Sequence, residues 1–341
     1  MRASMTTTPI APNIATAAPQ NSDIVNASTY IFDSAEAVRV RPPKEYLFSV
    51  CTPGIIAMLT GDGSVGKSYL TLQLMVALAL KDTPQLAPWC EAFGINKPRS
   101  SAFISLEDDA NELHFRMQSI YNHLKLTPED ADTLGKSCTF NVLDGAGFAV
   151  NDTSWTIPLI QSLRSRHPDG LDLLVIDTLS AAHTSPEGDN TAMNIVMQAA
   201  AVLRKALGCT LLLIHHVTKD SVRKPSESSR AADSRGASSI VNRARMVIQL
   251  RPTDADGVIE LTVPKINGGK RPKPQLWKAA NHGVKDPYTA AVANSKATAA
   301  VVPPAAAVAP TKPAVTTTST NGKPYNPIVR KPKNEKTGTA G

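Results

Sequence analysis

Residues 55–80, IIAMLTGDGSVGKSYLTLQLMVALAL, decide the fold. The first five, Ile55-Ile56-Ala57-Met58-Leu59, form an apolar run of the kind that makes a buried strand. Gly61-Asp62-Gly63-Ser64-Val65-Gly66-Lys67-Ser68 then completes the pattern G-x-x-x-x-G-K-S. A helical spacing follows at once, with Leu70, Leu74, Ala77 and Leu78 at i, i+4, i+7 and i+8 on one expected face. Strand, glycine-rich turn and helix in this order distinguish a phosphate-binding loop from an ordinary glycine turn.

The chemistry explains the residue types. Glycines let successive backbone N–H groups curl inward, and the helix that begins at the loop adds partial positive charge at the same point. Lys67 is expected to reach the β- and γ-phosphates of a nucleoside triphosphate. The Ser68 hydroxyl is expected to ligate the Mg2+ that bridges them. The ligands implied are therefore ATP and Mg2+.

Working outward, residues 101–107 read as a short apolar strand ending in Glu107, where open α/β sheets place their ligands. Asp108 and Asp109 open a helix with Leu113, Met117, Ile120 and Leu124 at helical spacing, and acids there are also favoured by the helix dipole alone. Residues 171–178, LDLLVIDT, read as a buried strand ending in Asp177, an acid suited to holding Mg2+. The apolar strand at 209–214 runs into His215-His216, which suits either a metal site or a hydrogen-bond donor that senses phosphate; no third ligand lies near in sequence.

The remaining pattern predicts helices at 155–167, with Pro158 in the first turn, and after Asp189 or Asn190, with Ile195, Ala199, Val202 and Ala206 as the apolar stripe. Strands are predicted at 138–143, 245–250 and 258–264, with 274–278 as a last edge strand. Residues 40–54 read as an extended approach lying across the sheet edge, and Trp89 and Phe93 as packing anchors. Strands alternating with helices define an α/β fold with a mainly parallel central sheet flanked by helices.

Of the 341 residues, 1–28 read as a disordered leader and 289–341 as a disordered Ala/Pro/Thr/Lys tail, leaving 29–288 for a single domain. The net charge of +7 divides unevenly: residues 265–341 hold 13 Lys or Arg against two acids, whereas residues 1–264 hold 23 against 27. A basic tail suits attraction to nucleic acid, or simply solubility. Cys51, Cys90, Cys138 and Cys209 are scattered with no C-x-x-C pair and no zinc spacing, so reduced thiols in a cytoplasmic protein are expected. No apolar run approaches the roughly 20 residues of a membrane span.

The ordered set GDGSVGKS, FISLEDD, LLVIDT, LLLIHH, SRGASS and PKINGG resembles the RecA-type ATPase core. Within that superfamily it is most similar to the hexameric replicative helicases of plasmids, the RepA family, relatives of the DnaB type. The resemblance spans about residues 44–285. It implies that Glu107 orients the attacking water, that Asp177 holds Mg2+, and that His216 senses the γ-phosphate with His215 beside it. Arg235 matches an arginine that reaches the neighbouring subunit's nucleotide. Lys265 matches the lysine of the K-x-R-x-G element, which here reads K-x-N-x-G with Asn267 at the finger position, so Arg235 is the expected finger and Arg251 the reserve.

The polar loops at 179–190 and 217–234 lie where RecA-type proteins contact single-stranded DNA, with Lys219, Arg223, Lys224 and Arg230 placed to meet phosphates; a merely solvated loop is the alternative. Two functions follow. One is a ring-forming, hexameric motor that hydrolyses ATP between subunits, translocates on single-stranded DNA and works with a replication initiator or primase. The other is a DNA-binding ATPase that regulates or assists recombination without unwinding.

Overall fold

The computed structural model describes residues 43–216, 238–280 and 283–288. The strands are β1 (Ile56–Gly61), β2 (Ser101–Ser105), β3 (Cys138–Val142), β4 (Leu173–Asp177), β5 (Thr210–His216), β6 (Met246–Pro252), β7 (Val258–Ile266), β8 (Gln275–Ala279) and β9 (Lys285–Tyr288). The α-helices are α1 (Lys67–Ala79), α2 (Ala87–Phe93), α3 (Ala110–Leu124), α4 (Pro128–Ser137), α5 (Thr153–Arg166), α6 (Asn190–Leu207) and α7 (Ser238–Arg243).

All nine strands join one sheet in the order β3-β2-β4-β5-β1-β6-β7-β8-β9. From β3 to β6 every pairing is parallel, and from β6 onward every pairing is antiparallel. Parallel strands need crossover helices, which cover both faces of the sheet, so their sequences run apolar without alternation. β1 and β4 show the result. Ala57, Leu59, Leu173 and Val175 face one core with α1, α2 and α3, while Ile56, Met58, Leu174 and Ile176 face a second core with α5 and α6.

The register fixes the functional end. Gly61 is opposite His216, and Ser105 is opposite Asp177, so the carboxyl ends of β1, β2, β4 and β5 open at one edge. Helix ends are set locally. Asp109 accepts from Glu112 N–H at 2.8 Å to start α3, and Thr127 with Asp130 forms a reciprocal capping box at α4. Asp189 caps α6 through Thr191 and Ala192, and Gly208 ends that helix at φ 69°.

Several expectations change. α1 is buried on nearly every side rather than along one stripe, because α2, α3, α4 and β9 pack over the side turned away from the sheet. On α6 the buried stripe is Met193, Val196, Met197, Ala200 and Leu203, while Ile195 and Val202 stand 55% and 57% exposed. Both stripes satisfy the helical period, and the methionine and leucine stripe faces the sheet. Asp152 caps α5 at Ser154, which puts Pro158 in the second turn instead of the first, where its missing N–H removes one helical bond.

The segment at 43–54 makes no strand pairing with a sheet edge. Leu47 and Phe48 are buried instead, with the Phe48 ring 6.2 Å from Phe93 of α2. Residues 275–279 form a strand, but β9 pairs beyond it and becomes the edge. Trp277 of β8 packs 4.6 Å from Trp89 and 5.0 Å from Phe93, which anchors the antiparallel wing to α2. Trp89 and Phe93 are thus packing anchors.

Candidate active site

The loop between β1 and α1 turns through left-handed backbone at Ser64 (φ 63°) and Gly66 (φ 89°) before α1 begins at Lys67. Gly61 is required by space: a Cβ there would stand 2.9 Å from Val65 Cγ1 and 3.0 Å from the Leu250 carbonyl oxygen. The buried Lys67 ammonium donates to the carbonyls of Gly61 (3.1 Å) and Asp62 (2.8 Å) and lies 3.4 Å from His216 Nδ1. Burial pulls its pKa down, and the charges of Asp177, Glu107 and Asp62 oppose that shift. These carbonyl contacts hold the ammonium over the loop, ready to exchange them for an anion.

Lys67, Ser68, Glu107, Asp177 and His216 line one cavity of about 350 Å³. Asp177 ends β4 and is 4% exposed. Burial pushes its carboxyl up to about 6, with the neighbouring Ser68 hydroxyl acting in the opposite direction. A buried carboxylate beside a serine hydroxyl is a hard-oxygen pair, and the residues present therefore fit a Mg2+ ion.

Glu107 stands two residues beyond β2, open to the cavity. His216, with Nε2 3.8 Å from Glu107 Oε1, is the main reason its pKa lies below the usual carboxylate range. The Thr178 hydroxyl donates to the same oxygen at 2.7 Å and adds to the effect, as does the charge of Lys67. Asp108 is placed differently. Arg116 of α3 grips it through two nitrogens, at 2.5 and 2.8 Å, and also donates to Glu112 at 2.8 Å. Burial raises the Asp108 pKa. Of the two adjacent acids, Glu107 alone is free of an arginine clamp. Asp109 is the helix cap described above.

His215 and His216 are successive strand residues and so point to opposite faces. His215 is fully buried and His216 faces the cavity, so the two do not converge on one ion. Lys265 is not brought to this cavity. It pairs with Val247 in register, near the opposite end of β6, and its ammonium donates to the carbonyls of Val241 (2.7 Å) and Asn242 (3.1 Å) in the last turn of α7. Asn267 N–H donates to the Arg245 carbonyl at 2.8 Å. Arg251 lies near the carboxyl end of β6, opposite Glu260 of β7, and does not line the cavity. Arg235, Lys219, Arg223, Lys224 and Arg230 lie outside the described residues, as do 1–28 and 289–341. Thr178, Arg116, Tyr69 and Lys285 also line the cavity, and no local pattern in the sequence marked them.

A parallel sheet carrying a glycine loop on β1, with acids at the ends of β2 and β4, defines a P-loop ATPase of RecA-like fold. Residues 22–222 match the AAA domain family, and the chain belongs to that family. It is similar to the solved ATPase domain of a helicase, at 13% identity and a TM-score of 0.47, over 67% of this chain and 83% of that one. It is likewise similar to the RadB recombinase, at 16% identity and a TM-score of 0.44, over 68% and 90% of the two chains. Among the described residues, no helix is long and apolar enough to cross a membrane.

Proposed function

We propose that this chain is an ATP-dependent, ring-forming DNA helicase motor, a hexamer of the RepA type that translocates on single-stranded DNA in replication of a plasmid, phage or mobile element. The observation that carries the catalytic part is the convergence of Lys67, Ser68, Glu107, Asp177 and His216 on one cavity. In this reading the amides of residues 61–68 and the Lys67 ammonium hold the triphosphate, and Ser68 with Asp177 holds Mg2+. That ion would neutralise charge developing on the phosphoryl oxygens. Glu107, held by Thr178 and kept ionised by His216, accepts a proton from the attacking water. His216 touches both Lys67 and Glu107 and is placed to report on the γ-phosphate to β5.

The ring follows from a missing charge. Among the described residues that line the cavity the one arginine is Arg116, and Asp108 and Glu112 engage it. An arginine for the transferring phosphoryl must come from elsewhere, and Arg235 of a neighbouring copy is the proposed source. The DNA part rests on the motif order and on the basic run between β5 and α7, with Lys219, Arg223, Lys224 and Arg230 as phosphate contacts. An ATPase assay with and without single-stranded DNA, paired with unwinding of a forked duplex, tests the proposal. Stimulation with unwinding supports the motor. Stimulation without unwinding favours the non-unwinding regulator, and no ATP hydrolysis contradicts both.

A further inference from the structure

Lys285 is the first residue of β9, more than 200 residues beyond the P-loop in sequence, yet its side chain lines the P-loop cavity. A Cβ on Gly66 would meet Lys285 Cε at 2.5 Å and Nζ at 3.0 Å, so the lysine stem lies directly against the residue that precedes Lys67. Any side chain at position 66 would displace it. The absence of one lets a second ammonium approach the loop.

The backbone under Lys285 is held with matching care. Gln73, fully buried on α1, accepts from Lys285 N–H at 2.8 Å and donates to the Lys285 carbonyl at 3.0 Å. These are the two bonds a neighbouring strand would make, supplied by a side chain of the P-loop helix itself. Both amide groups of Gln73 are thereby satisfied, which offsets the cost of burying them. On its other side β9 pairs with β8, where Ala279 is opposite Lys285, and Asp286 meets His123 Nε2 of α3 at 2.8 Å. The edge strand is therefore registered to α1, not merely added to the sheet.

What the ammonium lacks is a partner. Lys285 is 6% exposed, and among the described residues no carboxylate pairs with it; burial lowers its pKa. A buried, unpaired ammonium carries a desolvation cost that an anion in the cavity would remove.

We propose that Lys285 is a second cation of the phosphate cradle, reaching the polyphosphate of the bound nucleotide from β9 while Lys67 reaches it from α1. The inference rests on the nucleotide reading of the P-loop. It makes nucleotide affinity depend on the last strand of the fold, held in place by Gln73.

The test is ADP affinity, measured by calorimetric titration of the intact chain. Lys285→Met keeps the aliphatic stem against Gly66 and the backbone bonds to Gln73 while removing the charge. It should weaken ADP binding about tenfold or more, the loss expected for one charge-assisted hydrogen bond. Lys285→Arg should bind within a few-fold of wild type. The nucleotide-free melting temperature of Lys285→Met should equal or exceed that of wild type, since a buried unpaired charge is gone. If Lys285→Met binds ADP as tightly as wild type, or if it loses binding together with its fold while Lys285→Arg fails to bind, the inference is overturned. Wild-type protein that binds no ADP would overturn the nucleotide reading itself.

Discussion

Thr178 donates its hydroxyl to Glu107 Oε1 at 2.7 Å, joining the residue that follows the β4 acid to the acid that follows β2. Thr178 is 1% exposed, whereas Glu107 opens to the cavity. A buried group on one strand end therefore orients an accessible carboxylate on the next, and the bond also favours the ionised form.

Thr178→Val should leave the fold intact and lower kcat about tenfold with little change in KM, because it removes an orienting bond and no nucleotide contact. Its acid limb in the kcat profile should move to higher pH. Thr178 is one of the groups holding the Glu107 pKa down, so its loss lets the base protonate earlier as pH falls. Thr178→Ser should restore the wild-type profile, and steady-state ATPase kinetics from roughly pH 5 to roughly pH 9 check both.

Glu107→Gln should bind ATP with Mg2+ and hydrolyse it at least about 10²-fold more slowly, since the amide cannot accept a proton from water. Asp108→Asn should have a much smaller effect on the chemical step, because Arg116 already engages that carboxylate. Single-turnover hydrolysis with a parallel nucleotide-binding titration separates the two. A Glu107→Gln enzyme with normal turnover would transfer the base role to another acid.

Asp177 costs the nucleotide-free fold stability, and the sign follows from its pKa. Burial raises the carboxyl from 3.8 to about 6, so the folded state holds the proton more tightly than the unfolded chain. The penalty is absent below about pH 4, grows as pH rises toward 6 and is complete above it, reaching about 3 kcal/mol. Thermal melts in chelator should show Asp177→Asn more stable than wild type at about pH 8, with the difference fading toward about pH 4. Equal stability at the alkaline end would contradict the account.

The P-loop was readable because its determinants are local: glycines, Lys67 and Ser68 within eight consecutive residues, flanked by strand and helix patterns. Glu107 and Asp177 were readable because each follows a short apolar run that ends at the same sheet edge. Arg116 looked like an ordinary charge on an amphipathic helix, and only its turn toward Asp108 reveals its place. Lys285 had no local signature at all. It reaches the loop because the antiparallel wing folds back under Trp89, Phe93 and Trp277. The α6 face was misread because its sequence offers two apolar stripes, and only the packed sheet selects between them.

The central claim, a catalytic site completed between neighbouring copies, is tested most directly by mixing two inactive variants. Lys67→Ala removes the ammonium from the P-loop, and Arg235→Ala removes the proposed finger, a group generally worth about 10³-fold or more in rate. Titrating Arg235→Ala protein with Lys67→Ala protein should restore ATPase activity, because some mixed interfaces pair an intact loop with an intact arginine. Activity that stays at the level of the separate variants across all ratios would contradict a shared site, and with it the ring motor.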